Sequence, residues 1–337
     1  MGKPGFISFT TRRQSTNEFR PTMTSAPTRQ PSISVVVPVY RSEATLPKLV
    51  ERLQPVLAAL AGDYELVLVN DGSPDHSWEI IEQLAARNPW VGGIRLMRNY
   101  GQHNALLCGI RAARHEIIVT MDDDLQHPPE EIPKLLAELN RGFDVVYGAP
   151  EKEQHGLWRD LASVFTKLAL QSSMGAKTAR LVSAFRVFRR HVRDAFADYH
   201  SPFVSIDVLL TWGTTRFAAI KVRHDPRPAG VSSYTVRMLI THAMNMVTGF
   251  STLPLQFASL LGFVFTLFGV AMLVFVVLRY LLHGTSVPGF TFLASTIVIF
   301  SGAQLFALGI IGEYLARMHF RMMERPTYTV HATTFQN

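Results

Sequence analysis

The stretch of this chain with the clearest potential for chemistry is residues 121–131, MDDDLQHPPEE, directly after the apolar run EIIVT. Three consecutive aspartates at the end of a buried strand are costly unless a cation or solvent compensates their charge. Asp122 and Asp124 project to the same side of an extended backbone, and Gln126 continues that spacing. Mg²⁺ and Mn²⁺ prefer such oxygen ligands and bind alongside substrate phosphates. The pattern predicts a divalent-metal site; the alternative is an acidic loop that caps a helix.

A second candidate is Asp71, which ends the apolar run of VNDGS (residues 69–73). Its carboxylate can accept hydrogen bonds from a base N–H or a ribose hydroxyl, or it can cap the helix that follows. The chain has no GxGxxG, GxxxxGK[ST], HExxH or GxSxG, so dinucleotide, P-loop, zinc-protease and hydrolase chemistry lack their fingerprints. The single cysteine, Cys108, lies in an apolar stretch, which excludes a disulfide scaffold and a cysteine-based zinc site.

The elements that must position these residues alternate along the chain. Apolar, β-branched runs predict strands, and 3.6-residue periodicity predicts the helices between them. This alternation indicates an α/β fold with a mostly parallel, doubly wound sheet, in which ligands bind at the carboxyl ends of the strands. The predicted strands are residues 33–40, 65–71, 92–98, 116–122 and 144–149, and the predicted helices are residues 43–60, 75–87, 102–114 and 129–140.

Two stretches near the C-terminus are long enough to cross a bilayer, because residues 255–278 and 290–311 contain no charged side chain. Their short connection predicts a transmembrane hairpin, with spans at about 255–280 and 290–312. Arg237 precedes the first span and Arg317 follows the second, so the positive-inside rule predicts that these flanks, the α/β domain and both termini are cytosolic. A buried helical hairpin of a soluble protein is the alternative.

The remaining segments complete a predicted domain organisation. Residues 1–31 read as a disordered basic tail, 32–225 as the cytosolic domain and 314–337 as a basic cytosolic segment. Two amphipathic stretches are predicted to lie in the membrane interface. They are residues 156–172, within the domain, and residues 226–252, which lead into the first span.

Composition agrees with a membrane protein. Only 18% of the 337 residues are charged, and the uncharged spans account for most of that depletion. The net charge of +7 is compatible with nucleic acid or with anionic lipid and phosphate as a partner. Because the basic residues lie beside apolar spans and not on an aromatic-interleaved patch, we expect the membrane and no nucleic acid.

Several motifs together resemble the polyisoprenyl-phosphate glycosyltransferases of glycosyltransferase family 2. The similarity extends over residues 32–330, and one departure is PVYRSE, in which Arg41 and Ser42 stand where the family usually has Asn and Glu. The motifs that carry it are PVY, VNDGS, RNYGQHNALLCG, MDDDLQHPPEEIP, RPAGVSSY and GAQLFALGIIGEYLARM.

The resemblance implies a GT-A (Rossmann-like) domain that binds a UDP- or GDP-sugar and a divalent metal, Mg²⁺ or Mn²⁺. It implies inverting transfer of the sugar to a polyprenyl phosphate at the cytosolic face of the inner membrane, by a homo-oligomer. Transfer of 4-deoxy-4-formamido-L-arabinose to undecaprenyl phosphate is a narrower expectation. The less favoured alternatives are a processive polysaccharide synthase and a nucleotide-binding adaptor without activity.

The resemblance also implies roles for individual residues. In this chain, Pro38, Tyr40 and Asp71 would contact the nucleoside, and Asp122 and Asp123 would belong to the nucleotide-sugar site. The metal on the diphosphate would be held by Asp122, Asp124 and Gln126. The diphosphate or the lipid phosphate would be held by Arg159, Arg186, Arg227 and Ser232.

A lipid phosphate is already an anionic nucleophile, so this chemistry needs no strong general base. The barrier lies in bringing two negative groups together and in stabilising the leaving diphosphate. A metal ion and arginines lower that barrier by electrostatics and positioning, and the planar guanidinium binds two phosphate oxygens at once.

Overall fold

The structure is a computed structural model that describes residues 30–150, 182–201, 203–225, 253–283 and 289–335. The predicted tail (all but residues 30 and 31), the predicted helix 156–172 and the predicted segment 226–252 lie outside the described residues. Arg159, Arg227 and Ser232 lie there too, so what was predicted for them stays a prediction.

One mixed sheet of eight strands forms the centre of the described domain, in the order β7-β5-β6-β4-β1-β2-β3-β8. Neighbouring strands are parallel except at β6, which is antiparallel to β4 and β5, and at β8, which is antiparallel to β3. The strands are β1 (Ser32–Val39), β2 (Asp63–Asn70), β3 (Val91–Leu96), β4 (Ile117–Thr120), β5 (Val145–Pro150), β6 (Arg186–Arg189), β7 (Phe217–Val222) and β8 (Val330–Thr333).

Helices cover both faces of this sheet, as the alternating pattern predicts. Short 3₁₀ segments occupy Pro129–Glu131 and Arg190–Phe196. The α-helices of the domain are α1 (Leu46–Leu60), α2 (Ser77–Arg87), α3 (Gln102–Ala112), α4 (Ile132–Leu139) and α5 (Ile206–Gly213).

Strand β1 shows why the sequence folds this way. Val35 and Val37 join the core on the α1, α2 and α4 side, whereas Val36 joins the core on the α3 and α5 side, and all three are fully buried. A strand buried on both faces must be apolar throughout. At Gly109 on α3, an added Cβ would lie 2.4 Å from a methyl group of Val36, so this position permits close helix–sheet packing.

The register aligns the carboxyl ends of the central strands at one edge of the sheet. Val39 of β1 is opposite Asn70 of β2, and Val36 is opposite Thr120 of β4. The loops that follow these strands therefore lie next to one another. These loops contain the site residues that were predicted from the sequence.

Beyond the domain are two long apolar helices, α6 (Leu253–His283) and α7 (Phe290–Met322). Within them, Pro254–Leu282 (mean hydropathy 2.8) and Ile299–His319 (1.4) are long and apolar enough to cross a membrane. None of the most apolar window of either helix is buried by the described residues. Helix α7 extends about ten residues past the predicted end of the second span.

After α7 the chain returns to the domain, and β8 adds to the β3 edge of the sheet. The Thr334 hydroxyl accepts a hydrogen bond from the Gly93 amide at 2.8 Å, and the Phe335 ring lies against Gly92. The sequence by itself predicts only a basic segment here. An edge strand of four residues carries too little periodicity to be recognised before its partner is known.

Candidate active site

The acidic loop follows β4 at the carboxyl edge of the sheet. Asp122, Asp123 and Asp124 are partly exposed, and Leu125 has a positive φ of 58°. A left-handed backbone is uncommon for leucine, and such outliers concentrate at functional sites. Strand β4 ends at Thr120 and the chain turns at Asp123 and Asp124, so the three carboxylates do not continue the strand as the extended spacing predicts.

The first carboxylate, that of Asp122, is held from a neighbouring element. The Gln102 side-chain amide donates a hydrogen bond to Asp122 Oδ1 at 2.6 Å. Gln102 is the first residue of α3, and it was not singled out from the sequence. Its position directly after the third predicted strand, at the same sheet edge, was the available signal.

The second carboxylate, that of Asp123, faces the loop after β1. It accepts a hydrogen bond from the Ser42 hydroxyl and another from the Tyr40 amide at 3.3 Å. Burial raises the pKa of Asp123 to about 6, although both hydrogen bonds act to lower it. These contacts clamp the β1–α1 loop to the acidic loop, and the predicted contact of Asp123 with the nucleotide-sugar stays a prediction.

The third carboxylate, that of Asp124, faces its own loop and accepts a hydrogen bond from the backbone amide of Gln126 at 3.1 Å. The backbone carbonyl of Gln126 in turn accepts a hydrogen bond from the backbone amide of Asp225 at 2.9 Å. Residue 225 is the last one described before the segment that contains Arg227. The backbone leading to that arginine therefore starts within hydrogen-bond distance of the acidic loop.

His127, next in the chain, is buried and packs against the rings of His224 and Phe185. Burial, with a smaller effect from His224, lowers the pKa of His127 to about 4. A neutral imidazole therefore packs into the protein interior directly after the aspartates and supports the loop that carries them.

The donor set can be compared with what Mg²⁺ or Mn²⁺ requires. The described residues contain no group of three or more His, Cys, Asp or Glu side chains placed to hold a metal ion. Asp122 and Asp124 offer two partly exposed carboxylates, and Gln126 adds a neutral oxygen. Mg²⁺ is typically bound through one or two carboxylates plus substrate phosphates and water, not by an all-protein cage. The residues present therefore fit a metal ion whose remaining ligands come from substrate phosphates and water.

Asp71 lies at the same edge, buried after β2. Its two carboxylate oxygens accept the Tyr100 and Gly101 amides at 2.7 and 2.8 Å. Burial raises the pKa of Asp71, while these bonds and the Arg98 charge lower it in part. The aspartate thus fixes the start of α3, not the helix that follows β2. The predicted nucleoside contact of Asp71 stays a prediction.

The helix-capping role that was the alternative for Asp71 is filled by the side chain of Asp75. It accepts the hydroxyl and the amide of Ser77, the first residue of α2, at 2.7 and 3.3 Å. The start of α2 is therefore held by a residue of its own loop. Asp71 is left for the loop between β3 and α3.

Of the other predicted nucleoside residues, Pro38 is buried within β1 and Tyr40 is 42% exposed at its end. The Arg41 guanidinium lies 5.4 Å from the Tyr40 ring centre, and Arg41 itself has a positive φ of 59°. An exposed aromatic face beside the acidic loop can stack on a flat ligand ring.

Arg186, predicted to hold a phosphate, is 1% exposed on β6. Its guanidinium binds the Asp207 carboxylate and donates to the Thr120 hydroxyl at 3.0 Å. It therefore lies beneath the acidic loop, joined to the strand that ends there. Contact with a phosphate stays a prediction for Arg186.

Comparison with known proteins agrees with this geometry. The family model described as "Glycosyl transferase family 2" matches residues 34–196. Undecaprenyl-phosphate 4-deoxy-4-formamido-L-arabinose transferase from Shewanella sediminis is 37% identical over 301 residues, which cover 88% of this chain and 91% of the relative. An alignment of this length extends beyond the α/β domain into the apolar helices.

Two solved structures are more distantly similar, each over 64% of this chain. Glucosyl-3-phosphoglycerate synthase from Mycobacterium tuberculosis, in complex with Mn²⁺, UDP-glucose and phosphoglyceric acid, is 21% identical over 79% of its chain, with a TM-score of 0.47. Mannosyl-3-phosphoglycerate synthase from Rubrobacter xylanophilus is 15% identical over 72% of its chain, with a TM-score of 0.48. On the family match and the Shewanella relative, the chain is a glycosyltransferase that belongs to glycosyltransferase family 2.

Proposed function

We propose that this protein transfers a sugar from a nucleotide-sugar to a polyprenyl phosphate of the undecaprenyl type, with inversion, at the cytosolic face of the inner membrane. The observation that carries the proposal is that the sheet bearing the acidic loop is completed by β8, which follows the second apolar helix. The apolar helices are therefore tied through β8 to the sheet that bears the acidic loop, an arrangement that suits a lipid acceptor.

Asp122, Asp124 and Gln126 are proposed to hold a divalent metal, Mg²⁺ or Mn²⁺, on the donor diphosphate. When bound, such an ion neutralises charge on the diphosphate as it leaves. The residues of the chain provide its binding oxygens and keep them at the edge of the sheet. The partly exposed loop leaves the phosphates access to those oxygens.

The nucleoside is proposed to lie between the loops after β1 and β2. There the exposed Tyr40 ring provides a stacking face, and buried Asp71 and Pro38 shape the floor. The proposed nucleotide is UDP or GDP. The loop after β1 is joined to the acidic loop after β4 by Asp123, which accepts a hydrogen bond from Ser42.

The acceptor phosphate is proposed to meet Arg227, Arg159 and Ser232, with Arg186 as a further predicted ligand. Support for Arg227 comes from the bond between the Asp225 amide and the Gln126 carbonyl, because residue 227 is only two positions further on. A guanidinium there would offset the repulsion between the incoming phosphate and the diphosphate.

A direct test uses the full chain in membranes, incubated with undecaprenyl phosphate and a panel of UDP- and GDP-sugars, with lipid products identified by mass spectrometry. We expect one nucleotide-sugar to give a lipid-linked product that disappears with EDTA. The panel includes the 4-deoxy-4-formamido-L-arabinose donor, because the Shewanella relative is named for that sugar. A homo-oligomer is expected on size analysis in detergent.

Two controls make this test decisive. The double variant Asp122→Asn/Asp124→Asn keeps the side-chain volumes and should give no lipid product. Gln83→Ala, an exposed glutamine change on α2, should leave the yield unchanged. Product formed in EDTA would contradict the metal assignment, and a panel without any lipid product would contradict the acceptor.

A further inference from the structure

We propose that Gln102 is a positioning residue that holds the Asp122 carboxylate in the orientation needed to bind the metal. This inference rests on the proposed function. Its observation is the 2.6 Å hydrogen bond from the Gln102 side-chain amide to Asp122 Oδ1. The two residues are 20 positions apart and belong to different elements of the sheet edge.

The structure holds Gln102 itself in place through Asp71. Both oxygens of that buried carboxylate accept backbone amides immediately before Gln102, those of Tyr100 and Gly101. Gly101 has a φ of 95°, which favours glycine and turns the chain into α3. The glutamine therefore projects from a fixed point at the start of a helix.

A second contact makes this point rigid. Gly72, directly after Asp71, has a φ of 62°, and a Cβ there would lie 2.5 Å from the Arg98 carbonyl carbon. The turn after β2 and the loop after β3 therefore touch backbone to backbone. Asp71, Gly101 and Gln102 thus form a continuous path from the buried end of β2 to the acidic loop.

A neutral side-chain amide is a suitable hydrogen-bond donor to a metal-binding carboxylate. A neutral amide restrains a carboxylate without introducing a positive charge that would compete with the cation. Partners of this kind orient metal-binding groups, and their removal typically costs about 10- to 100-fold in metal affinity or activity. Because Gln102 is exposed, its loss leaves no buried polar group without a partner and should spare the fold.

The test measures Mn²⁺ binding to the purified full chain in detergent by electron paramagnetic resonance of free Mn²⁺, with UDP present and no acceptor. Gln102→Ala should raise the dissociation constant for Mn²⁺ by about 10- to 100-fold. Gln83→Ala, the same change at an exposed position of α2, should not change it. In turnover assays, the Mn²⁺ concentration for half-maximal rate should rise in the same proportion, with near-normal turnover at saturating Mn²⁺.

The Asp122→Asn/Asp124→Asn variant separates this inference from the function on which it rests. If that variant loses Mn²⁺ binding while Gln102→Ala binds normally, the role of Gln102 is overturned and the metal site stands. If the aspartate variant binds Mn²⁺ as well as the unaltered chain, the metal assignment itself fails. An equal melting temperature for Gln102→Ala and the unaltered chain is expected, and a large decrease would make the glutamine merely structural.

Discussion

Two neighbouring regions carry charged side chains, the acidic loop after β4 and the Arg186–Asp207 pair at β6. They differ in the groups that contact those charges. In the acidic loop after β4, two neutral groups donate hydrogen bonds to aspartates: the Gln102 side-chain amide to Asp122 and the Ser42 hydroxyl to Asp123. In β6, Arg186 faces the Asp207 carboxylate and the two charges cancel. Only two backbone steps separate Thr120, which contacts Arg186, from the first aspartate of the loop.

Exposure differs in the same sense. The aspartates of the loop are partly exposed, whereas Arg186 is almost fully buried. A buried charge must be paired within the protein, because desolvation is expensive. A partly exposed carboxylate can in addition be reached by a ligand of opposite sign. The comparison therefore favours the proposed binding role of the loop and a structural role for the Arg186–Asp207 pair, and a phosphate contact of Arg186 stays a prediction.

The largest effect is expected from Arg186→Met, which would leave the Asp207 carboxylate without its partner. Removing one member of a buried pair costs about 3–5 kcal/mol of folding free energy. Chemical denaturation of the purified protein in detergent measures it. The expected result is a destabilised protein whose folded fraction still binds Mn²⁺.

The double variant Arg186→Met/Asp207→Leu supplies the control for that change, since replacing both charges removes the unpaired carboxylate. It should recover most of the lost stability. An Arg186→Met protein of unchanged stability that has lost transfer would break the comparison and support a phosphate contact for Arg186.

Asp124→Asn should have the reverse signature, with activity lost and stability kept. We expect transfer to fall by about 10²- to 10³-fold, the range seen when one electrostatic contact to a transition state is removed. The melting temperature should stay the same or rise, because one of three adjacent negative charges has gone. Full transfer activity in the variant would remove Asp124 from the site.

A smaller, pH-dependent effect is expected at Asp144, a second structural carboxylate. Burial acts to raise the pKa of Asp144, but hydrogen bonds from Arg216 and Thr214 and the charges of Arg216 and His191 bring it below its ordinary value. A lowered folded-state pKa stabilises the protein above the unfolded-state pKa, roughly 3.9, and that contribution is lost as the pH falls through the folded-state pKa.

The measurement compares the melting temperatures of Asp144→Asn and the unaltered chain between about pH 6 and pH 3. The difference should be largest at the higher pH and shrink on acidification. A difference that grows towards low pH would mean that the Arg216 pair does not stabilise the folded state.

The smallest effect is expected at Arg141, whose side chain is 73% exposed and pairs with Glu138 at 2.9 Å. Exposed pairs typically contribute under about 1 kcal/mol. Arg141→Ala should therefore leave stability and transfer almost unchanged. A loss as large as that of Arg186→Met would show that burial does not separate the two kinds of charge.

Much of the α/β core was predictable, because strands buried on both faces are continuously apolar and the intervening helices are amphipathic. All five predicted strands and all four predicted helices of residues 33–149 occur, with ends shifted by a few residues. Strands β6, β7 and β8 were not predicted. Strands β6 and β8 are four residues long and antiparallel to distant partners, and β7 pairs with β5, which lies far earlier in the chain.

The acidic loop and Asp71 were found from residue type and their place after predicted strands. The contacts that hold them were not, because Ser42 is 81 residues from Asp123 and Gln102 follows a different strand. Nothing in a local pattern states which loops become neighbours. That depends on strand order, which brings the ends of β1, β2 and β4 to one edge.

Local patterns alone therefore determined the alternation of strands and helices, the two apolar helices and the position of an acidic loop after a buried strand. These features follow from backbone periodicity, helix length and side-chain chemistry. Tertiary structure decided that Asp71 fixes the start of α3, that Arg186 pairs with Asp207, and that β8 returns to the sheet. Those outcomes depend on packing between residues far apart in the chain, where burial, and not spacing, selects the partner of each charge.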